Sequence, residues 1–292
     1  MELPEEIIRW FPASIGSRLR LWRLPGIHPP EELRCRIGHA VQVLAGGSCR
    51  EISETGLTSK DLDLVLERAS RASLYAHAGE LRRGFLHTAC GARIGLCGML
   101  YDHSGETAGL RAVSSLSIRI PHAVPGCAEE IASKLMKTGF QSTLLLSPPG
   151  MGKTTLLRDL IRQLSDAGLR VSVADERGEI AAVFDRVPSF ALGKNTDVMS
   201  GGQKGESAMM LLRSMNPQIL AFDEITEPAD LKIIEQAAGC GVALLATAHA
   251  SDLESMRRRK LYRSLLETGV FYNAVWIRME NGLRRYQLER LQ

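Results

Sequence analysis

The sequence predicts an α/β protein: a parallel sheet with helices on both faces, preceded by a smaller α+β domain. Three observations carry that expectation. Residues 142–146, a short β-prone apolar run, lead through Ser147-Pro148-Pro149-Gly150-Met151-Gly152-Lys153-Thr154 into the helically spaced 155–161. That is strand, loop and helix in the order a phosphate-cradling loop requires. Strand-like and helix-like stretches then alternate to about residue 250, the pattern of a parallel sheet with crossover helices. Finally, the apolar run 219–222 ends in Asp223-Glu224, two carboxylates at the strand end where such sheets bind ligands.

The whole chain narrows the classes further. Its 292 residues leave room for two domains, each able to bury a core. Hydrophobic residues make up 45% and charged residues 24%, the balance of a soluble globular protein. A net charge of +3 and a pI near 8.6 are too mildly basic to argue for nucleic acid on their own. Cys35, Cys49, Cys90, Cys97, Cys127 and Cys240 form no C-x-x-C pair and no metal-ligand spacing. They read as small buried residues of a reducing compartment, the cytosol. Met1-Glu2-Leu3-Pro4-Glu5-Glu6 has no basic region ahead of an apolar core, so no secretory leader is expected. No run reaches the roughly 18 charge-free apolar residues of a membrane span. A membrane is then expected to be reached only through a partner.

In chain order, residues 1–30 alternate amphipathic pieces with Pro4, Pro12, Pro25, Pro29 and Pro30. Ile7, Ile8, Trp10 and Phe11, then Leu19, Leu21, Trp22 and Leu24, predict one or two short packed helices. Residues 33–37 and 41–44 alternate like strands around a Gly38-His39 turn. Thr58-x-x-Asp61 is a capping box for a helix with Leu62, Val65, Leu66, Ala69 and Ala72 on one face. Residues 81–86, 92–100 and 114–120 read as strands, with turns such as Asp102-His103-Ser104-Gly105 between them. These pieces make an α+β domain over 1–120, and Pro121, Pro125 and Gly126 mark a linker at 121–127. Arg34, Arg36, Arg82, Arg83, Arg93, Arg111 and Arg119 read either as a solvated strand face or as a set of which one or two reach a neighbouring subunit's triphosphate.

Residues 128–292 form the second domain. The expected order is helix 129–138 closed by Gly139, strand 142–146, helix 153–165, strand 170–174, a short helix near 179 and helix 205–215. Strand 218–222, helix 229–238 and strand 242–247 follow, then a hairpin within 271–288 turning at Asn281-Gly282.

Small loop residues let backbone N–H groups turn inward around an anion at a helix N-terminus, where the dipole also favours negative charge. Residues Ser147, Pro148, Pro149, Gly150, Met151, Gly152, Lys153, Thr154 and Thr155 are the expected nucleotide cradle. Lys153 would reach the β- and γ-phosphates and Thr154 would ligate Mg2+. Asp223 would join Thr154 on the metal, and Glu224 would orient or deprotonate the attacking water. Glu224 as a plain helix cap stays open. Asp175, Glu176 and Glu179 stand at a neighbouring strand end, where they would repel one another unless a divalent cation offset their charge. An ordinary charged loop has the same sequence. His249, after Thr247, reads either as a sensor of the γ-phosphate or as a structural group. Residues 200–207 form a flexible stretch ahead of the helix carrying Arg213, which would serve a phosphate or an inter-subunit contact.

Together Lys153-Thr154, the 175–179 acids, Met209 with 211–217, Asp223-Glu224 and Thr247-Ala248-His249 resemble the landmarks of the type II/type IV secretion ATPases. Those are phosphate-loop NTPases of RecA/AAA-like fold. Closer still, the chain is similar to a sporulation branch found in endospore-forming bacteria, and that match extends into residues 31–38, so it covers nearly the whole length. The resemblance implies ATP and Mg2+ as cofactors. It puts Asp175 and Glu176 beside the metal, Glu179 and His249 with the catalytic set, and Arg213 on the arginine-bearing helix. It further implies first-domain arginines completing the site, a homo-hexamer, and a place in the mother-cell cytoplasm, peripheral to the inner membrane. The partners would be integral membrane proteins of a secretion-like channel between mother cell and forespore. Two positions depart from the pattern. Ser147 replaces the first loop glycine, and Asp223 precedes Glu224 where many secretion ATPases have Gly-Glu.

The expected function is Mg-dependent ATP hydrolysis, its energy passed to a membrane partner by closure across the linker. A nucleotide-regulated assembly scaffold with little hydrolysis is the alternative. A nucleic-acid motor would need basic residues interleaved with aromatics, which are missing here. Adenine over guanine rests on the resemblance, since no Asn/Thr-Lys-x-Asp motif occurs.

Overall fold

The structure is a computed structural model that describes residues 3–22, 29–52, 55–73, 77–103 and 106–291; for 102, 103, 106–109 and 111 it describes the backbone alone. Leu24 and Pro25 of the expected lead-in, Ser104-Gly105 of the expected turn and the Arg111 side chain lie outside the described residues. The chain divides into two compact units, 1–121 with 182–189, and 122–181 with 190–292.

In the first unit, Pro4 and Pro12 precede two short helices, α1 (Glu5–Ile8) and α2 (Ala13–Leu21), at positions where a helix needs no N–H from them. Strands β1 (Glu32–Arg36), β2 (Gln42–Ala45) and β3 (Ser48–Glu51) are followed by helices α3 (Ser59–Ala69) and α4 (Ala78–Arg82). Then come β4 (Phe85–His87), β5 (Arg93–His103) and β6 (Glu106–Arg119). The sheet order is β3-β2-β1-β6-β5-β4, with every pair antiparallel. β1 alternates half-buried and buried residues, so Leu33 and Cys35 enter one core with Ile7, Leu19, Leu62 and Ile118, while Arg34 and Arg36 face the other way.

The Thr58 capping box is present: the Thr58 N–H donates to Asp61 Oδ2 at 2.7 Å and the Asp61 N–H to Thr58 Oγ1 at 3.3 Å. Ala72, expected on the helix face, lies beyond its end in a left-handed turn with φ 59°. Residues 81–86, expected as one strand, instead divide between the end of α4 and the start of β4, with Gly84 at φ 79° turning the chain between them. β3 was not expected, because its four residues are all exposed and carry no periodicity. Cysteine burial also differs from expectation. Cys35 is buried, but Cys49, Cys97 and Cys240 are exposed, and all six are free thiols.

In the second unit, α5 (Glu129–Met136) is followed by Gly139 at φ 81°. Next come β7 (Thr143–Leu146), α6 (Lys153–Asp166) and β8 (Val171–Asp175). A ribbon of β9 (Val183–Phe184) and β10 (Val187–Pro188) belongs to the first unit. The chain returns through β11 (Thr196–Ser200), α7 (Lys204–Ser214), β12 (Ile219–Phe222), α8 (Pro228–Gly239) and β13 (Ala243–Ala248). It ends with α9 (Leu253–Arg258), α10 (Lys260–Glu267) and the hairpin β14 (Asn273–Glu280) and β15 (Leu283–Arg290). That hairpin turns at Asn281 and Gly282, with φ 50° and 76°, as a two-residue turn of this hand requires.

The sheet order is β11-β8-β12-β13-β7-β14-β15, parallel throughout except for the last pair. β7, β8 and β12 are buried at every residue, which is why they read as apolar runs without alternation. Leu144, Leu146, Leu220, Phe222 and Leu244 share a core with Leu211 of α7, Ile233 of α8 and Met256 of α9. α6 packs on β7, β8 and β13 through the opposite face, so helices flank the sheet on both sides. The helix expected near 179 is not formed, because that segment turns to serve Asp175. No helix among the described residues is long and apolar enough to cross a membrane. β13 lies between β7 and β12, and that insertion builds the site.

Candidate functional site

The loop after β7 has the backbone an anion cradle needs. Gly150 and Gly152 adopt φ of 76° and 90°, whereas Ser147 is not among the positive-φ residues. A side chain is therefore acceptable at Ser147 and strained at the two glycines. Ser147 is buried and its Oγ donates to the Pro148 carbonyl at 2.9 Å, while Pro148, Pro149 and Gly150 are exposed. Gly152 is the N-cap of α6, and no side chain caps that terminus. The first-turn N–H groups of a 14-residue helix are thus left for an outside acceptor. Thr155, one turn in, accepts from the Cys127 thiol through its carbonyl at 4.0 Å. The Arg284 Nε donates to the Met151 carbonyl at 3.0 Å, placing a guanidinium of β15 beside the loop.

Lys153 is 7% exposed. Its Nζ lies 2.8 Å from His249 Nδ1 and 3.4 Å from the Ser147 carbonyl. Burial pushes the ammonium's pKa below its ordinary value, and the Asp223 and Glu224 charges offset part of that fall. An ammonium only donates, so the nitrogen facing Lys153 is the accepting one, and the other ring nitrogen is Nε2. That nitrogen faces Glu224 Oε1 at 2.7 Å. Lys153, His249 and Glu224 form one chain, which Arg177 extends at 3.1 Å from Glu224 Oε2.

Thr154 Oγ1 donates to Asp223 Oδ2 at 2.7 Å, and Thr247 Oγ1 donates to Asp223 Oδ1 at 2.5 Å. Thr247 also accepts the Glu224 N–H at 2.9 Å. Glu224 itself adopts φ 49°, a left-handed conformation that costs a non-glycine residue about 1–3 kcal/mol and persists only where its surroundings enforce it. Three strand ends therefore meet at one carboxylate pair because β13 is interposed between β7 and β12.

The acidic segment after β8 joins this place only in part. Asp175, Glu176, Glu179, Asp223, Glu224 and Lys204 line one narrow cleft. Asp175 is 2% exposed, and its two oxygens accept from the Ile180 and Ala181 N–H groups at 3.2 and 2.8 Å. These bonds shape the loop that follows β8. Glu176 is exposed and Glu179 half-buried. Arg213 is exposed on the last turn of α7 and is not among the residues lining the cleft.

Two supports carried no sequence signal. Arg158 of α6 donates to the carbonyls of His122, Glu179 and Ile180 at 3.0, 2.8 and 2.9 Å and stacks 3.6 Å from the Phe190 ring centroid. Burial lowers its pKa to about 10, against the nearby Asp175 charge. Lys204 and Asp230, both buried, form an ion pair at 2.9 Å. Spacing alone makes Arg158 look like a helix surface charge and Lys204 a loop residue.

The residues present fit magnesium bound with a phosphate chain. Thr154 and Asp223 offer hard oxygens already within reach of each other. Among the described residues no group of three or more His, Cys, Asp or Glu side chains could hold a metal ion by itself. Magnesium meets such a site well, since it keeps waters and takes phosphate oxygens beside one or two protein ligands.

This fold and loop define the class: a RecA/AAA-like phosphate-loop NTPase fold of the kind seen in secretion ATPases. The ATPase DotB of Legionella pneumophila superposes with a TM-score of 0.57 at 13% identity, over 89% of this chain and 75% of that one. The pilus retraction motor PilT, solved with bound ADP, gives a TM-score of 0.56 at 14% identity, over 89% and 79%. At such identities the likeness is one of fold. The model of the family described as sporulation stage III, protein AA, matches residues 4–286, and the chain belongs to that family. Stage III sporulation protein AA of Bacillus subtilis (strain 168) is 34% identical over 247 residues, 82% of this chain and 80% of that one.

Proposed function

We propose that this chain is a magnesium-dependent ATPase that drives a sporulation channel. The observation that carries the reading is the Thr154–Asp223–Thr247 junction at the uncapped N-terminus of α6. Loop N–H groups and Lys153 would receive the β- and γ-phosphates, Lys153 exchanging His249 for a phosphate oxygen. Thr154 and Asp223 would hold magnesium, which supplies charge neutralisation and an ordered triphosphate. Glu224, aimed by its strained backbone and bonded to His249 Nε2, would orient the attacking water and take its proton. Glu176 and Glu179 would act at the rim of the same cleft.

The family match and the fold likeness support a wider reading. A homo-hexamer, with first-unit arginines and Arg213 contributing across subunit boundaries, would work at the cytoplasmic face of the mother cell's inner membrane. Its partners would be integral membrane proteins of a secretion-like channel. Phosphate release by purified protein with Mg-ATP tests the enzyme assignment. Release by the wild type, lowered about 100-fold or more in Glu224→Gln, supports it. Tight ATP binding without release by the wild type would favour a nucleotide-regulated assembly scaffold instead.

A further inference from the structure

Lys204 stands at the first position of α7, where the helix dipole disfavours a cation, and it is 6% exposed. Two acceptors hold it there. Its Nζ lies 2.9 Å from Asp230 Oδ1 and donates to the Glu224 carbonyl at 2.7 Å. Asp230, 1% exposed, is itself fixed near the start of α8, accepting the Thr226 and Glu227 N–H groups at 2.9 and 3.2 Å. An ion pair this deep is a poor choice where stability alone is needed, since apolar replacements of similar volume commonly do as well. What the charge reaches is the peptide leaving Glu224. The peptide entering Glu224 is held by Thr247 Oγ1 at 2.9 Å. Both flanks of the one left-handed residue in this turn, φ 49°, are thereby clamped, and the direction of its Cβ follows from that backbone.

We propose that Lys204, held by Asp230, is a positioning residue: it locks the Glu224 backbone so that the carboxylate points at the water to be activated. The proposal rests on the ATPase reading of the same site. It also gives the stretch ahead of α7 a mechanical meaning. Gly201, at φ 86°, donates its N–H to the Asp175 carbonyl at 3.2 Å, so the acidic loop is linked to Lys204 through Gly202 and Gln203, and from there to Glu224.

The test compares wild type, Lys204→Met and the double variant Lys204→Met/Asp230→Asn. The double variant leaves no unpaired buried charge and keeps an acceptor for the Thr226 and Glu227 N–H groups, so it guards against simple unfolding of the single one. Thermal unfolding, ATP affinity by calorimetry and steady-state phosphate release are measured on each. The expected result is a folded double variant that binds Mg-ATP within about threefold of wild type while kcat falls about 100-fold, the scale of a misplaced catalytic group. A double variant that turns over within about threefold of an active wild type overturns the positioning role and leaves the ATPase reading standing. Loss of affinity in step with loss of turnover overturns it too, because the site would then have collapsed as a whole. Absence of hydrolysis by the wild type itself is the separate outcome that removes the ATPase reading and this inference with it.

Discussion

The Thr154 hydroxyl donates to the Asp223 carboxylate at 2.7 Å, joining two residues 69 positions apart. Thr247 approaches the other oxygen of the same carboxylate at 2.5 Å. Thr154 and Asp223 would together hold a magnesium ion, while the Thr247 bond keeps Asp223 oriented. The site is thus preorganised by side chains whose partners are each other.

Glu224→Gln is expected to lower kcat for ATP by about 10²–10⁴-fold, the span of general-base contributions, with ATP affinity nearly unchanged. Lys153→Ala is expected to lose both turnover and affinity, because the ammonium answers triphosphate charge in the ground state as well. Phosphate release and calorimetry on the two variants separate these outcomes. Residual turnover in Glu224→Gln at the wild-type rate would remove Glu224 from the chemistry.

Thr247→Val keeps the shape of a fully buried side chain but deletes an oxygen that serves both Glu224 and Asp223. An orphaned buried N–H costs about 1–3 kcal/mol. Denaturant midpoints should fall accordingly, and turnover should fall beyond what the stability loss explains. A variant as stable and active as wild type would show that the hydroxyl is incidental.

Asp159 ties α6 to the start of α5. Burial pushes its carboxyl up, but the Ala128 N–H, Arg162 and Gln163 outweigh that and hold it below the usual carboxylate range. A depressed folded pKa contributes stability that is present above the unfolded value, about 3.9, and is lost as pH falls through the folded one. Asp159→Asn should therefore destabilise the protein most above about pH 5 and progressively less in acid. Unfolding midpoints that differ equally across pH 2–7 would contradict this.

The thiols should separate by accessibility. The buried Cys35 is pushed up to about 12 and Cys127 to about 11 by burial, whereas Cys49, Cys97 and Cys240 are exposed. A thiol reagent near neutral pH should label the three exposed residues first and Cys35 only on unfolding. Early labelling of Cys35, read by peptide mass, would contradict the packing of β1.

The legible part of this protein was local. Gly150, Gly152 and Lys153 lie within one loop, and the carboxylates after β12 adjoin an uninterrupted apolar strand, so spacing alone exposed them. β11 is not legible from spacing because Thr196–Ser200 is a partly exposed edge strand of mixed polarity, nor are α9 and α10, because Arg257, Arg258, Arg259 and Lys260 interrupt their apolar stripe. Asp175 shows the limit from the other side. Its place at a strand end was evident, but that its oxygens bond Ile180 and Ala181 depends on how the loop turns. Lys204 and Asp230 meet across 26 residues, and only the fold makes that pair.

Calorimetric titration with ATP, with and without magnesium, on wild type and Asp223→Asn tests the central claim most directly. The account predicts magnesium-dependent binding that weakens tenfold or more in Asp223→Asn, about 1.4 kcal/mol, and little difference between the two proteins without the metal. No binding by the wild type, or an affinity indifferent to both magnesium and Asp223, would contradict it.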